Sequence, residues 1–372
     1  MKIYALSTAL VILASLFSSC SEKNPVGGDI YIKSDELFAN AIEIKGEKLA
    51  NELHTMPFFK GFFTPDGFFG YAKAHNNKLV HLFNSNSAEL IASEGSKGRG
   101  PNELLLAHAL DYNPKTGSLF LHDIIKSSVV QFRYKKDNIK IESHIDLRQR
   151  DKGCVTEELQ AISDSLFVIR VNDIAPPYCG YLAIVNTHNE ILDSLQIFQV
   201  EDSKVDHSKI RIINASMRLT PDRKNLIVCN SKYNHLTKYR LENNSLKKQL
   251  SRIVLEPKYT VKKRRIQRSG KHLEWGGNVF TSDKYIYVVS NPESRESYLE
   301  RVDIAKKTGE AMSEFIDNSY ILVFDYDFNL INSYKTDAQF KWITIAPDEK
   351  TIYASTYGDG CYLTKYHLIG LK

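Results

Sequence analysis

Two stretches of this sequence share one pattern: PDRKNLIVCNSKYNHLTKYRL at residues 221–241 and PDEKTIYASTYGDGCYLTKYHL at residues 347–368. Each begins with Pro-Asp-x-Lys, continues through a short apolar run and ends in Leu-Thr-Lys-Tyr-x-Leu. The Pro-Asp pairs lie 126 residues apart (221 to 347) and the Leu-Thr pairs 127 apart (236 to 363), so one extra turn residue accounts for the drift. Two matched blocks in the same order indicate an internal structural repeat.

The residues of the repeat predict its local structure. Proline fixes φ and the aspartate side chain can accept bonds from the following backbone, so Pro-Asp-x-Lys predicts a turn. NLIVCN and TIYAST are short, β-rich runs that predict strands buried on both faces. LTKYRL alternates, with Thr237, Tyr239 and Leu241 on one face, which predicts a strand with one wet face.

Weaker copies of this unit occur along the chain and bring the total to six. The first apolar run of each copy begins at Phe68, Leu119, Leu166, Leu226, Tyr285 and Ile352. Six such units predict an all-β, six-bladed β-propeller occupying residues 41–372 as one domain. The chain ends before the last unit is complete, so we expect the β-like segment Ala41–Lys45 to supply its outer strand. The alternative architecture is a pair of stacked β-sandwiches.

Composition agrees with a globular β protein. The chain has 372 residues, of which 42% are hydrophobic and 25% charged, which excludes wholesale disorder and a polytopic membrane protein. Its 20 Tyr and 18 Phe suit half-buried strands. The net charge of +5 is small and scattered, so no nucleic-acid partner is expected.

The N-terminus has the pattern of an export signal. Lys2 precedes the apolar run Ile3–Phe17, and Ser18-Ser19-Cys20 follows. A cysteine directly after small residues resembles the lipobox of bacterial lipoproteins. That resemblance implies a signal peptide over residues 1–19, a lipidated Cys20 and a polar tether over residues 20–40. The alternative is an ordinary signal peptide with a chance cysteine.

A glycine-rich block, GSKGRGPNEL at residues 95–104, carries a second resemblance. It is similar to the signature G-x-G-P-G-E-F of the TolB-like six-bladed β-propeller lipoproteins of Bacteroides-type bacteria. Asn102 replaces a glycine and Leu104 an aromatic residue, and four positions match: Gly98, Gly100, Pro101 and Glu103. The resemblance implies the fold and an envelope location, lipid-anchored at the outer membrane, and implies no activity. We interpret the block as a blade-to-blade crossing.

Candidate binding residues lie in loops. Arg99 is expected near the channel mouth, and Tyr178 belongs to a Pro-rich loop at residues 172–178. The insertion at residues 257–277 is basic and holds an aromatic residue, so it is a candidate for gripping an anionic ligand or partner. Its alternative is a solvated surface loop. The candidate residues of this insertion are Lys262, Lys263, Arg264, Arg265, Arg268 and Trp275.

A second insertion, at residues 294–315, is charged and predicts a helix or a loop. Within it, four apolar residues form a stripe that is expected either to dock on the ring as a cap over one face or to form a partner site. These residues are Tyr298, Leu299, Val302 and Met312.

Catalytic and metal-binding signatures are absent from the sequence. Neither HExxH nor GxSxG occurs, and the histidines and cysteines lack zinc spacing. The segment Asp325–Asn329 resembles the start of a calcium loop without its glycine and glutamate, so it predicts a hairpin turn. No metal or cofactor is expected. The cysteines after the signal are expected to be free and buried, with a Cys154–Cys179 disulfide as the alternative.

These features favour a non-enzymatic binding or scaffold module, a monomeric ring whose partner is an envelope protein or a glycan. One alternative is an enzyme of the lactonase, lyase or cyclotransferase type with a metal in the channel, which rests on fold analogy. The other alternative is a small-molecule sensor with its ligand held in the channel by Tyr and Arg side chains.

Overall fold

The structure is a computed structural model. It describes residues 35–52, 61–64, 66–75, 77–100, 103–135, 138–147, 154–173, 180–196, 215–230, 234–255, 259–262, 265–269, 271, 273–274, 277–309, 318–357 and 361–371. Within these ranges, no helix has the length and apolar character that crossing a membrane requires.

Twenty-nine strands make up most of the described chain. A π-helical turn, Asp35–Ala39, precedes β1 (Ile42–Ile44) and β2 (Glu47–Glu52). Four antiparallel sheets then follow in sequence, each with its strands in chain order. Their strands are β3 (Gly61–Thr64), β4 (Gly67–His75), β5 (Lys78–Phe83) and β6 (Leu90–Ser96); β7 (Ala107–Asn113), β8 (Ser118–Asp123), β9 (Ser128–Tyr134) and β10 (Ile139–Asp146); β11 (Cys154–Ala161), β12 (Leu166–Asp173), β13 (Gly180–Asn186) and β14 (Ile191–Gln196); β15 (Ala215–Leu219), β16 (Asn225–Asn230), β17 (His235–Glu242) and β18 (Ser245–Ile253).

The rest of the chain contains two more large sheets and two small ones. The small ones are a hairpin of two strands and a pair of two-residue strands next to the long helix α1. The elements in chain order are β19 (Tyr259–Lys262), β20 (Arg265–Arg268), β21 (Leu273–Glu274), β22 (Gly277–Thr281), β23 (Ile286–Ser290), β24 (Glu293–Ser294), α1 (Arg295–Thr308), β25 (Tyr320–Phe324), β26 (Leu330–Thr336), β27 (Ile343–Ile345), β28 (Thr351–Tyr357) and β29 (Cys361–His367).

The large sheets form a β-propeller. The first strands of successive sheets contact one another in the cycle β3, β7, β11, β15, β22, β27, and β27 returns to contact β3. The first strand of each sheet therefore lies at the centre of the ring, and the fourth lies at the rim. This arrangement excludes the alternative of two stacked β-sandwiches.

The N-terminal segment closes the ring, but through a later strand than the sequence indicates. β2 pairs antiparallel with β29 and completes the last sheet, with Glu47 opposite Lys365. The expected segment Ala41–Lys45 instead contributes β1, which adds in parallel to β26 as a fifth strand of the preceding sheet. The prediction of Ala41–Lys45 as the closing strand is therefore wrong in its residues. The physical reason for the prediction was the coverage of an open sheet edge, and β1 and β2 each cover such an edge.

Apolar side chains fill the space between neighbouring sheets. One core cluster joins Val168 and Ile184 of the third sheet to Met217 and Leu226 of the fourth. Aromatic rings do the same elsewhere, as Phe120 and Phe167 of adjacent sheets meet edge to face at 5.4 Å between centroids. Burial of each such side chain contributes roughly 1.5–3 kcal/mol.

The two Pro-Asp turns adopt the conformation that their sequence predicts. In the first, Asp222 Oδ1 accepts bonds from Thr220 Oγ1 at 2.6 Å and from the Lys224 backbone N–H at 3.0 Å. In the second, Asp348 Oδ1 accepts from the Lys350 and Thr351 backbone N–H groups at 3.0 and 2.8 Å. The strands that follow, β16 and β28, are buried nearly throughout.

Candidate binding face and channel

The two ends of the ring differ in the length of their connections. Because strands in each sheet alternate in direction, first-to-second and third-to-fourth turns lie at one end. Second-to-third turns and sheet-to-sheet crossings lie at the other end. The first end, here the short-turn face, carries turns such as 114–117 and 243–244. The second, the long-connection face, carries the described residues 97–100, 103–106, 259–262, 265–269 and 291–309.

Polar side chains on the first strands link each sheet to the next. Asp111 Oδ2 accepts from the Ala161 backbone N–H at 2.8 Å, and Glu158 Oε2 accepts from the Met217 N–H at 3.1 Å. Similar bonds join Gln160 to Leu219 N–H and Ser216 to Val279 N–H. These contacts satisfy N–H groups on the free edge of each inner strand, where no neighbouring strand is available.

A turn of the fourth sheet crosses the channel at the short-turn face. Arg223, the third residue of the first Pro-Asp turn, has φ of 62°. Its Nη1 donates to Asp111 Oδ2 at 2.7 Å and its Nη2 donates to the Tyr112 backbone carbonyl of the second sheet. The Arg223 and Asp111 side chains are only 9% and 2% exposed. This buried ion pair joins the fourth sheet to the second at one end of the channel.

Arg218 lies at the centre of the ring next to this pair. Its guanidinium carbon is 4.6 Å from the ring centroid of Phe62 in the first sheet and 5.9 Å from that of Phe280 in the fifth. Its Nη1 is 3.9 Å from Asp111 Oδ1. Contacts with three other sheets show that the side chain projects into the channel.

The electrostatics of this cluster are strongly perturbed. Burial lowers the pKa of Arg218, the Asp111 and Glu158 carboxylates act to raise it, and the neighbouring Arg223 guanidinium lowers it further. Arg170 lies 3.7 Å from Glu158 through Nε and Oε2, also buried. Across the part of the chain described, no group of three or more His, Cys, Asp or Glu residues is placed to hold a metal ion.

The comparisons agree with this architecture. A family model described as TolB-like 6-blade propeller-like matches residues 62–348. The chain belongs to this family. No curated protein matches the sequence. Solved structures with a similar fold include two from Bacteroides. A DUF4221-family member from Bacteroides vulgatus, at 12% identity and a TM-score of 0.58, covers 88% of this chain and 98% of its own. A Bacteroides fragilis protein described as exported, at 10% identity and a TM-score of 0.56, covers 91% of this chain and 99% of its own.

The glycine-rich block of this TolB-like propeller is a crossing between the first and second sheets, as its composition indicates. Gly98 N donates to Leu104 O at 3.0 Å, and the Glu103 carboxylate accepts from the Gly100 N–H at 2.7 Å. A Cβ on Gly98 would lie 2.0 Å from Glu103 Oε2, so glycine is required for this carboxylate to fold over the loop. The matching glycine and glutamate positions therefore have a structural role.

The candidate binding residues that the structure describes belong to connections of the long-connection face. Arg99 is exposed in the crossing between the first and second sheets. The basic insertion contains the hairpin β19–β20, so its backbone is more ordered than a simple loop. That hairpin contains Lys262, Arg265 and Arg268, whose side chains are outside the described residues. Five further candidates lie wholly outside the described residues: Cys20, Tyr178, Lys263, Arg264 and Trp275.

The second insertion forms α1, which begins after the N-cap Ser294 and ends at Gly309. Tyr298 and Leu299 are 46% and 50% exposed, so docking of these two residues on the ring is wrong, and the alternative of a partner site stays a prediction. The helix is rich in charged residues, and these two side chains remain in solvent. Arg301 pairs with Glu293, which lies just before the helix. Met312 lies outside the described residues.

Two smaller predictions can be compared with the structure. The segment Asp325–Asn329 is a hairpin turn between β25 and β26, where Asp325 Oδ1 accepts from the Asn329 N–H at 2.8 Å. Cys229 is free and buried, as expected, and Cys361 is buried too. The side chains of Cys154 and Cys179 are outside the described residues.

The sequence pattern did not predict the channel cluster, which consists of the charged residues that project from the first strands. Asp111, Glu158 and Arg218 lie on first strands, whereas the repeat was recognised from second and third strands. The available signal was the position of charged residues directly before a predicted turn, as in the segment ASMRLTPD at residues 215–222.

Proposed function

We propose that the protein is an exported, lipid-anchored propeller that binds an envelope protein or a glycan through its long-connection face, without catalysis. The observation that carries this proposal is the asymmetry of the ring. The longest connections of the described chain, among them the glycine-rich block, the β19–β20 hairpin and α1, leave from one face, and loops held by a rigid scaffold are common binding elements. At the opposite face, short turns and the Arg223–Asp111 ion pair leave less loop surface for a partner.

Six blades and a monomeric ring are part of the same proposal. Five four-stranded sheets and one five-stranded sheet support the blade number, together with the closed cycle of their first strands. The family description also names six blades. The lipobox-like sequence ending at Cys20 and the exported relative from Bacteroides fragilis support the envelope location.

The chemistry of the long-connection face supports a partner with apolar and acidic surface. Ile125 is 62% exposed and Leu106 is 42% exposed, and the backbone bond from Ile124 N to Leu106 O places their segments side by side. Exposed Arg99 lies in the same crossing as Leu106. The β19–β20 hairpin is also part of this face and is rich in basic residues, and basic residues favour association with anionic groups.

The buried carboxylates argue against the enzyme alternative at the channel. Asp111 and Glu158 accept backbone N–H bonds from neighbouring sheets, and each lies beside an arginine. Carboxylates engaged in this way hold neighbouring sheets together, and these structural bonds leave them poorly placed to exchange protons with a substrate.

A binding measurement with a charge-reversal variant tests the proposal. The variant is Lys262→Glu, Arg265→Glu and Arg268→Glu on the hairpin. The matched control is Arg240→Glu, Lys247→Glu and Lys248→Glu on β17 and β18, where all three residues are exposed. Detergent-solubilised full chain is titrated against fractionated envelope proteins and envelope glycans.

We expect binding to one fraction, a loss of about tenfold in affinity for the hairpin variant, and little change for the control. No binding by the wild type, or equal losses in both variants, would contradict the proposed face. A Cys20→Ala variant that stays in the membrane would contradict the anchor separately.

A further inference from the structure

Arg218 is a buried cation whose surroundings in the described structure do not complete its hydrogen bonding. Its alternate neighbours on β15, Met217 and Leu219, pack into the core between the third and fourth sheets. Arg218 therefore projects from the other side of the strand, into the channel. It is 8% exposed, and its Nη1 atom has no hydrogen-bond partner among the described residues.

The nearest carboxylate is already engaged by other groups. Asp111 Oδ2 accepts from Arg223 Nη1 at 2.7 Å and from the Ala161 N–H at 2.8 Å. Asp111 Oδ1 is 3.9 Å from Arg218 Nη1, which is beyond hydrogen-bond distance. A guanidinium carries five N–H donors, and leaving them without acceptors in a buried site is costly.

Two cations share one carboxylate at this point of the channel. Asp111 faces both Arg223, at 2.7 Å, and Arg218, at 3.9 Å, so Arg223 occupies the closer position. A carboxylate ligand would give Arg218 the acceptors that Asp111 does not supply.

The walls beside Arg218 are aromatic. Phe62 and Phe280 flank the guanidinium, and Trp342 meets Phe280 edge to face at 6.1 Å between centroids. Phe62 in turn lies 6.2 Å from Tyr112. Aromatic faces favour a flat apolar group, and the fork of a guanidinium matches the two oxygens of a carboxylate.

We propose that the channel binds a small monocarboxylate, with its carboxylate on Arg218 and a flat apolar body against Phe62 and Phe280. This site is separate from the macromolecular surface of the proposed function. It would make the propeller responsive to a small organic acid in the channel. Either site can exist without the other.

The test is a thermal-shift titration of the full chain with benzoate, benzamide and inorganic phosphate. A ligand that binds only the folded state raises the melting temperature in a saturable way. We expect benzoate to raise it by about 3 °C near saturation. Benzamide, which has the same shape without the charge, and phosphate, which lacks the flat body, are expected to have much smaller effects.

Variants locate the effect on Arg218. Arg218→Met is expected to abolish the benzoate shift, and Arg218→Lys, which keeps the charge and loses the fork, to weaken affinity about tenfold. The control is Arg240→Met, whose side chain is 53% exposed on β17, and it should respond as the wild type does. If Arg218→Met does not fold, the Arg218→Lys variant and arginine Nε–Hε NMR signals of the wild type provide the same test.

Three results would overturn the proposal. They are no saturable benzoate shift in the wild type, an equal shift in the Arg218 variants, and an equal or larger effect of benzamide or phosphate. None of these results depends on binding by the hairpin, so failure of this site is distinguishable from failure of the proposed function.

Discussion

Substitution of Asp111 by alanine tests how much the ion pair at the short-turn face contributes to stability. Asp111 is 2% exposed, and its carboxylate joins three sheets through Arg223, the Ala161 N–H and the nearby Arg218. Removing one member of a buried ion pair leaves the other as an uncompensated charge, which costs about 3–5 kcal/mol. Asp111→Ala also leaves the Ala161 N–H without its acceptor. We therefore expect a loss of about 4 kcal/mol in the free energy of unfolding.

Urea denaturation followed by circular dichroism measures this loss. For a propeller of this size we expect the midpoint to fall by about 1 M or more with an unchanged slope. Asp327→Ala is the control, since Asp327 is 81% exposed and pairs weakly with Lys238 at 4.0 Å, so its cost should stay below about 1 kcal/mol. The double variant Asp111→Leu with Arg223→Met should recover much of the lost stability, because it removes the charge pair together.

A loss below about 1 kcal/mol for Asp111→Ala, at unchanged slope, would refute this reasoning. Losses that simply add in the double variant would refute the coupling between the two side chains.

Three further outcomes are expected. Cys20→Ala should release the protein from the membrane and abolish lipid labelling, and unchanged retention on fractionation would contradict lipidation. Leu49→Ala should lower the free energy of unfolding in urea by about 2–4 kcal/mol, since Leu49 is only 8% exposed in the closing strand. Ile42→Ala is the control and should cost far less, because Ile42 is 39% exposed. Equal costs would contradict closure by β2. Partial burial acts to raise the pKa of Asp348, but hydrogen bonds from Thr351 and Lys350 hold this pKa below its usual value. The stabilising effect of the ionised carboxylate is therefore present above about pH 4 and is lost as the pH falls further. The variant Asp348→Asn should therefore show a weaker decline of stability in acid than the wild type, and an identical decline would contradict this role.

The sequence predicted the parts of the fold that depend on local chemistry. Pro-Asp-x-Lys fixed two turns because a proline and an aspartate act on the adjacent backbone, and the structure has Asp222 and Asp348 in that role. Buried strands such as β16 were recognisable from continuous apolar runs. The propeller architecture followed from counting these units, without knowledge of any long-range contact.

The closing strand was misplaced because its pattern is weak. β2 has the sequence EKLANE, in which Leu49 is the only large apolar residue, whereas Ile42 and Ile44 in β1 alternate like an ordinary strand. β2 is held by pairing with β29 across more than three hundred residues of sequence, and local periodicity does not record such a partner.

The channel cluster was missed for a related reason. First strands line the channel, so they carry residues such as Glu158 and Arg218 where an ordinary buried strand would be apolar. Their pattern resembles neither a buried strand nor a half-exposed one. The meaning of Arg218 appears only when Phe62, Phe280 and Asp111 from three other sheets are brought next to it.

Photocrosslinking in the native cell tests the central claim, binding through the long-connection face, most directly. Ile125 at that face and Ile369 at the short-turn face are 62% and 65% exposed, so they form a matched pair for a photoreactive amino acid in the full, anchored chain. We predict a discrete crosslinked product from position 125 that Arg99→Glu weakens, and none above background from position 369. Equal products at both positions, a product only at 369, or none at either would contradict the account.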